Sequence, residues 1–355
     1  MGDCRRPMLS KACALALLAV FAVAVTACGS SSDGGTDTNS KAGTSSAGSH
    51  EAVKVCFFEH GAANTWFQAA YEGSQAAAKQ LGGVTIIQKD GKFDPEVQAQ
   101  SMQDALATKE CNAWMIGQLG PAAYRYAEQA IAKGIKVCGV LVPLGSDAGS
   151  SRMQLSGETC ATYRSPTAIA HDIAGAIKLA CKGIDPCEVG YLKGLTAIVA
   201  DKTLVSTLHS DLADTPSIKI VAEQEAQWLA DPAYKVTQNM LQAHPGLDVI
   251  ASSGDQMTLG AERAVKAAGK TGAVKLIGSY GSQLGVSAVK AKRWFADTVT
   301  LPYTEGEVAT KMLAAAVRKQ KPPYAAMTDV AVKLSNVGPT LTPSSIGSFK
   351  AEWKG

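Results

Sequence analysis

Short runs of β-branched and aromatic residues alternate with longer helical patterns along most of this chain, and this alternation constrains its fold more than any other feature. Residues 53–58, which are apolar except for Lys54, have the pattern of a buried strand, and residues 66–81 form an Ala-rich helical pattern that ends at two glycines. Strand and helix patterns continue in this order to Val142, then begin again after Gly157 and continue to Thr300. Two such series predict an α/β protein with two doubly wound lobes, each built on a parallel sheet.

The N-terminus has the pattern of an export signal. Arg5, Arg6 and Lys11 precede an apolar run that is short for a membrane-spanning helix and ends in small residues. Residues 1–27 are therefore predicted to be a signal peptide, which places the rest of the chain outside the cytoplasm.

Cys28 directly follows Val25-Thr26-Ala27, and this order resembles the lipobox of bacterial lipoproteins. The resemblance implies that the signal is removed and that Cys28 becomes a lipidated N-terminus; an ordinary signal peptide with a cysteine at this position is the alternative. The Gly/Ser/Thr/Asp tract that follows is too polar to fold. Residues 28–51 are thus predicted to be the lipidated cysteine and a flexible tether, on the extracytoplasmic face of the cell membrane.

Composition and missing motifs argue against several classes of protein. The formal net charge is only +3 and the sequence has no long run of Lys or Arg, so we expect no nucleic-acid partner. Gly269-Lys270-Thr271 follows a helical pattern and lacks the leading glycine of a P-loop, and no G-x-S-x-G motif occurs. The five histidines are scattered and no C-x-x-C occurs. We therefore expect no metal, no cofactor and no enzymatic activity.

Six of the nine cysteines lie in the predicted folded body, and cysteines of exported proteins commonly form disulfides. Cys181 and Cys187 enclose a turn with a glycine and a proline between a predicted helix and a predicted strand, so we predict that they are bonded to each other. The remaining cysteines of the body are left unassigned: Cys56, Cys111, Cys138 and Cys160.

Several segments match, in order, the motifs of one family. Asn64-Thr65-Trp66-Phe67 follows the first predicted strand, where that family has Asn-Pro-Phe-Phe, and residues 133–137 correspond to its Ala-Gly-Ile-Pro-Val. Residues 241–250 and 254–261 follow its signature ANPDIDAVFAxNDEMALGA. On these motifs the chain resembles, from residue 53 to residue 334, the ribose-type periplasmic binding proteins, the solute receptors of bacterial ABC importers.

The resemblance implies a type 1 periplasmic binding protein fold, in which two lobes joined by a three-strand hinge close on a ligand. Lobe 1 is then expected to contain residues 52–157 and 301–330, and lobe 2 residues 158–300 and 331–355. The resemblance also implies a small polar ligand such as a sugar or polyol, an ABC-transporter permease as partner, and a monomeric protein.

The same resemblance supplies candidate ligand-binding residues. Trp66, Phe67 and Trp228 match aromatic stacking positions, for which core packing is the alternative. Asn64 matches a hydrogen-bonding residue, and Asp255 precedes a predicted helix; for both, helix capping is the alternative. Glu59, Gln118 and Gln283 are polar residues able to compensate for absent family residues, and a solvated loop position is the alternative for each. The full set is Asn64, Trp66, Phe67, Lys202, Trp228, Asp255, Tyr280, Glu59 and Gln118.

The sequence departs from the family at the positions that grip sugar hydroxyls. Leu141-Val142 replaces an Asp-Arg pair, and Lys202 stands near a family arginine. Fewer charged hydrogen-bonding groups imply a ligand that is smaller or less hydroxylated than ribose.

A second resemblance in the same superfamily leaves an alternative open. The matching segments look like the periplasmic partner of the trimethylamine-N-oxide sensor kinase: residues 66–73, Cys111, Ile116-Gly117, residues 121–124 and Ser279-Tyr280. An aromatic cage with a carboxylate would suit a small cationic or dipolar ligand. The alternative function is thus the ligand-sensing partner of a membrane sensor kinase.

Overall fold

The computed structural model describes residues 51–330 and 338–355. The first lobe contains a five-stranded parallel sheet with the strand order β2-β1-β3-β4-β5. Its strands are β1 (Val53–Glu59), β2 (Val84–Asp90), β3 (Ala113–Ile116), β4 (Lys136–Gly139) and β5 (Cys160–Ala161). Its helices are α1 (Thr65–Leu81), α2 (Pro95–Thr108), α3 (Pro121–Ala132) and, from the later part of the chain, α9 (Pro302–Val317).

The second lobe contains a six-stranded sheet with the order β11-β10-β9-β8-β6-β7, in which the edge strand β11 is antiparallel to β10 and the other pairs are parallel. Its strands are β6 (Cys187–Lys193), β7 (Ile218–Glu225), β8 (Val249–Ser252), β9 (Lys275–Gly278), β10 (Ala296–Thr298) and β11 (Thr340–Leu341). Its helices are α4 (Pro166–Ala180), α5 (Val199–Ala213), α6 (Ala230–Ala243), α7 (Asp255–Ala267) and α8 (Gln283–Lys290).

Strand β1 shows why the first lobe forms in this way. Val55 and Phe57 pack with helices α1 and α9 on one face of the sheet. Cys56 and Phe58 point to the other face and pack with Met102 of α2 and its neighbours. Side chains alternate between the faces of a strand, so a strand covered by helices on both sides needs a continuous apolar sequence.

Helices α1 and α9 cross at two glycines. A Cβ atom on Gly73 would lie 2.0 Å from the backbone oxygen of Tyr303, and one on Gly306 would lie 2.0 Å from the backbone oxygen of Ala70. The absence of side chains at these positions lets the two backbones touch. Helix α9 thereby packs onto the first lobe, although it follows the second lobe's strands in the chain.

Within residues 51–330 and 338–355, three disulfides each join two cysteines of the same lobe. Cys56–Cys111 and Cys138–Cys160 lie in the first lobe, and the latter joins the neighbouring strands β4 and β5. The third joins Cys181 to Cys187, the pair predicted from the sequence, and encloses a cis peptide bond between Asp185 and Pro186.

The observed elements differ from expectation where the lobes join. Strand β4 ends at Gly139, although a strand was expected to continue to Val142, because Leu141 has a φ of 63° that breaks the extended conformation. Strand β5 belongs to the first sheet, although residues 160–161 were expected in lobe 2. In the described part of the chain, no helix combines the length and apolarity needed to cross a membrane. The predicted signal, the lipidated Cys28 and most of the tether lie outside the described residues.

Candidate functional site

A cavity of about 70 Å³ lies between the two lobes, at the carboxyl ends of both sheets. In parallel α/β sheets the loops after the strands diverge at this edge and leave room for a ligand. Loops after β1, β2 and β4 form the wall on the first lobe, and segments after β6, β7, β8 and β9 contribute to the wall on the second lobe.

Aromatic rings make up much of this wall. The aromatic residues of the wall are Trp66, Phe67, Phe93, Trp228, Tyr280 and Trp353. The indole N–H groups are bonded to the protein: Trp66 donates to Thr300 Oγ1 (2.9 Å), and Trp228 donates to the carbonyl of Ser253 (3.0 Å). The indole of Trp353 donates to the carbonyl of Tyr280 (2.9 Å). With their N–H groups satisfied in this way, the indoles offer apolar ring surface to the cavity.

Phe93 and Trp228 meet across the cleft from opposite lobes, with ring centroids 5.9 Å apart and planes inclined by 22°. Both residues have left-handed backbone conformations, with φ values of 55° and 51°, which are uncommon outside glycine. Glycines leave room for the rings, because a Cβ atom on Gly61 would lie 2.4 Å from the Phe93 ring and one on Gly194 would lie 2.0 Å from the Trp228 ring. The local backbone is thus shaped to bring the two rings together.

Asp201 is the acidic residue of the wall. It lies in the first turn of α5 and is 4% exposed. Its Oδ1 accepts a hydrogen bond from the N–H of Gly194 (3.3 Å), whereas its buried Oδ2 has no hydrogen-bond partner among the described residues. Burial raises the pKa of Asp201 to about 7, while the Gly194 N–H, the charge of Lys193 and the nearby hydroxyl of Ser253 act in the opposite direction.

The first lobe contributes His60 and Asn64. Burial lowers the pKa of His60 to about 4, so its imidazole is neutral at pH 7. Its ring packs against Phe67 with centroids 5.0 Å apart. Asn64 caps α1, since its Oδ1 accepts a hydrogen bond from the N–H of Trp66 (2.9 Å). This cap fixes the direction in which the helix presents Trp66 and Phe67 to the cavity.

Five of the nine candidate residues therefore line the cavity, namely Asn64, Trp66, Phe67, Trp228 and Tyr280. Lys202 does not: it is exposed on α5, because consecutive residues of a helix point about 100° apart and Asp201 takes the inward direction.

Asp255 is buried and does not line the cavity. Its carboxylate accepts hydrogen bonds from the N–H groups of Ser279 (2.9 Å) and Ser282 (2.7 Å), and so holds the loop that carries Tyr280. It makes no side-chain cap at the start of α7. Burial raises the pKa of both Asp255 and its buried neighbour Asp297, since two adjacent carboxyl groups cannot both ionise easily away from water.

Glu59 and Gln118 are also buried beside the cavity without lining it. Glu59 Oε1 accepts a hydrogen bond from Gln88 Nε2 (2.7 Å), and burial raises its pKa to about 7. Gln118 exchanges two hydrogen bonds with the backbone of Gly145 (2.9 and 3.0 Å). Both side chains fix the loops of the first lobe.

Among the wall residues that sequence reasoning missed are His60, Phe93, Asp201 and Trp353. Phe93 and Trp353 stand outside the regular elements, where apolar periodicity carries no information. Asp201 could have been predicted, because it directly precedes Lys202, which the resemblance had already selected.

The wall combines aromatic faces with a few buried polar groups. Within residues 51–330 and 338–355, no three His, Cys, Asp or Glu side chains are grouped so that they could hold a metal ion. Aromatic faces with a few buried polar groups are typical of sites that hold a small organic molecule in one orientation.

The sequence matches the periplasmic binding protein domain family over residues 55–321. The ribose import binding protein of Bacillus subtilis (strain 168) is 25% identical over 249 residues, which cover 70% of this chain and 76% of that protein. The D-allose-binding periplasmic protein of Escherichia coli (strain K12) is 26% identical over 253 residues, covering 70% and 80%.

The fold has solved counterparts as well. A crystal structure of an ABC transporter periplasmic solute binding protein from Actinobacillus succinogenes 130z, with bound D-allose, is similar with a TM-score of 0.69 and 21% identity. The similarity covers 84% of this chain and 100% of that chain.

Proposed function

This chain belongs to the periplasmic binding protein domain family, and from that premise we propose that it binds a sugar or polyol between its lobes and delivers it to the permease of an ABC importer. The match confirms the predicted family, the α/β fold of that family and the prediction of a binding protein rather than an enzyme. The observation that carries the ligand proposal is the cavity wall of aromatic faces from both lobes with few polar groups. C–H faces of sugars stack on such rings, and hydroxyls need a few fixed partners.

The size of the cavity supports a compact ligand. Its volume of about 70 Å³ is small beside the roughly 300–1,000 Å³ of drug-sized ligand sites. Leu141 and Val142, at the positions of the family's charged pair, are part of the wall and add apolar surface. Both features favour a ligand smaller or less hydroxylated than ribose.

The proposed mechanism is closure of the lobes on the ligand. Trp66 and Phe67 stand on one lobe and Trp228 and Tyr280 on the other, so a ligand between them touches both. Closure is driven only to the extent that the ligand binds the closed form better than the open form. Asn64 and Asp255 are proposed to act by holding these aromatics in place.

Replacing the aromatics tests the proposed site. Trp228→Ala should weaken sugar or polyol binding by on the order of 1–3 kcal/mol, because stacking and desolvation are lost while the fold is kept. Trp66→Ala should act in the same direction from the other lobe. Leu179→Ala, at an exposed position of α4, is the control.

A thermal-shift screen of aldoses and polyols identifies the ligand, since a ligand that binds only the folded state raises the melting temperature, and calorimetry then gives its affinity for each variant. Unchanged affinity in both tryptophan variants would place the ligand elsewhere.

We also propose that Cys28 carries the lipid anchor and that the protein acts on the extracytoplasmic face of the membrane as a monomer. The support is the lipobox-like order of residues 25–28 together with a family whose members act outside the cytoplasm. Cys28→Ser should release the protein from the membrane fraction or leave its signal uncleaved. A variant that still needs detergent for extraction and has the mature mass would contradict the proposal.

The alternative, a sensor-kinase partner that binds an amine or N-oxide, is not adopted. The relatives described above are binding proteins for ribose and D-allose, and the ribose protein is named for import.

A further inference from the structure

Part of the cavity wall comes from a segment that lies outside the family match. The match ends at residue 321, whereas Trp353 lines the cavity and is only 2% exposed. The other aromatic residues of the wall all lie within residues 55–321. The matched part of the chain therefore does not by itself account for the side of the cavity that Trp353 forms.

Trp353 stands on the side of the cavity where the two lobes join. Its indole N–H donates to the carbonyl of Tyr280 (2.9 Å), and the hydroxyl of Thr300 donates to the same carbonyl (3.3 Å). Thr300 lies between β10 of the second lobe and α9 of the first lobe, and its oxygen accepts the indole N–H of Trp66 (2.9 Å). The two indoles are thus held around one carbonyl, and a ligand that extends towards this junction meets Trp353.

The 349–355 segment, which carries Trp353, is bonded to both lobes. On the second lobe, the N–H of Gln283, the first residue of α8, donates to the backbone carbonyl of Trp353 (2.8 Å). On the first lobe, the hydroxyl of Thr65, the first residue of α1, donates to the carbonyl of Gly355 (3.1 Å). The segment therefore lies against the starts of two helices that belong to different lobes.

Glu352 adds a second attachment to the first lobe. Its carboxylate accepts hydrogen bonds from the N–H (2.9 Å) and the hydroxyl of Thr304, in the first turn of α9. Helix α9 receives no side-chain hydrogen bond from its own N-cap residue, Leu301, so Glu352 pairs an N–H group that the first turn of a helix leaves free. Because bonds on both sides of Trp353 hold the segment, its indole cannot move aside without breaking several of them. Trp353 is thus a fixed part of the wall.

We propose that Trp353 sets the upper size limit of the ligand, because its ring occupies the space into which a longer solute would extend at the junction of the lobes. This inference rests on the proposed function and narrows its ligand class to short sugars and polyols. The cavity of about 70 Å³ has little spare room, and a fixed ring excludes an additional carbon by overlap. Glu352 is a positioning residue that holds the segment in place.

Two homologous series of solutes measure the limit. Calorimetry gives the Kd of the unaltered protein for erythritol, ribitol and allitol, and for D-erythrose, D-ribose and D-allose, which lengthen by one or two carbons at each step. We expect a shorter member of at least one series to bind, and the longest member of that series to bind at least about 10-fold more weakly, as an additional carbon does in a closed pocket.

Trp353→Ala tests the role of the residue itself. Without the indole this side of the cavity is open, so the ratio of the Kd of the longest member to that of the best shorter member should fall by at least about 10-fold. Trp353→Phe should change the ratio in the same direction by less, and it decides the question if Trp353→Ala does not fold.

Trp114→Phe is the matched control and should leave the ratio unchanged. Trp114 is buried in the first lobe and does not line the cavity, and its indole N–H has no hydrogen-bond partner among the described residues. The same change of ratio in this variant as in Trp353→Phe would refute a specific role of Trp353.

The outcomes separate this inference from the proposed function. If the Trp353 variants weaken shorter and longer members alike, or weaken neither, the size limit is refuted while the proposed function stands. Allitol or D-allose that binds the unaltered protein as tightly as the shorter members of its series also refutes the limit. If no member of either series binds the unaltered protein, the proposed function fails and this inference fails with it.

Discussion

The burial of Asp201 has a consequence for the stability of the protein. Its pKa is raised from an ordinary value of 3.8 to about 7 because the carboxyl is buried. Between these values the folded protein holds a proton that the unfolded chain has lost, so the free energy of unfolding falls as pH rises. The cost is complete above pH 7 and absent below about pH 4. The charged and titratable groups that act on it are Lys193, Glu225, Tyr191 and Tyr280.

Asp201→Asn should therefore stabilise the ligand-free protein in a pH-dependent way. We expect a gain on the order of 1–3 kcal/mol at pH 8 that shrinks towards zero near pH 4. Urea unfolding of both proteins across this pH range measures the difference, and other buried acids such as Glu158 cancel because both proteins contain them. A difference that is constant with pH would show that Asp201 does not titrate as described.

For single residues, the sequence could predict the members of the cavity wall that lie in regular helices. Trp66 and Phe67 were predictable because a capped helix presents them at the carboxyl end of a buried strand. Phe93 and Trp353 were not, because their positions depend on irregular segments and on contacts from distant parts of the chain. The resemblance selected Lys202, whereas the neighbouring Asp201 lines the cavity. A shift of one residue on a helix thus reverses the sign of the charge that faces the cavity.

At the scale of elements, the crossing of α1 and α9 depends on two glycines. Gly73→Ala should destabilise the protein by about 1–3 kcal/mol, because its Cβ would overlap a backbone oxygen that cannot rotate away. Gly306→Ala should have a similar effect from the other helix. Thermal and urea unfolding measure both.

Gly175 provides the matched control within a helix. It is exposed in α4, and an added Cβ would meet no atom within 4 Å. Gly175→Ala should stabilise the protein by up to about 1 kcal/mol, through helix propensity alone. If all three substitutions behaved alike, the described packing of α1 on α9 would be incorrect.

The long helices and the central strands were predictable because their apolar periodicity extends over many residues. The two-residue strands β5 and β11 carry too few residues for a pattern, and they are held by pairing and, for β5, by the Cys138–Cys160 disulfide. The Cys181–Cys187 bond was predictable because both cysteines flank one turn, whereas the other two bonds join cysteines 22 and 55 residues apart.

At the scale of the whole molecule, Phe93 and Trp228 link the two lobes by direct contact. Aromatic pairs contribute about 0.5–1.5 kcal/mol beyond the area they bury. We expect the stack to favour the arrangement in which the lobes meet, and so to lower the conformational cost of closing on a ligand.

Phe93→Ala should shift the ligand-free protein towards an open arrangement. We expect a larger radius of gyration in solution scattering and weaker ligand binding, with compaction restored at saturating ligand. Phe295→Ala, a half-buried position at the edge of the second lobe's core, controls for general effects of losing a ring. Identical scattering from Phe93→Ala and the unaltered protein would argue against a closing role for the stack.

The placement of the tryptophans gives the protein an intrinsic optical probe. Of five tryptophans in the sequence, Trp66, Trp228 and Trp353 line the cavity, whereas Trp114 and Trp294 are buried in the lobes. A solute that enters the cavity changes the surroundings of three indoles at once while the other two stay constant. Ultraviolet emission should therefore report occupancy directly, so that solutes can be titrated at low protein concentration without dyes or radiolabels.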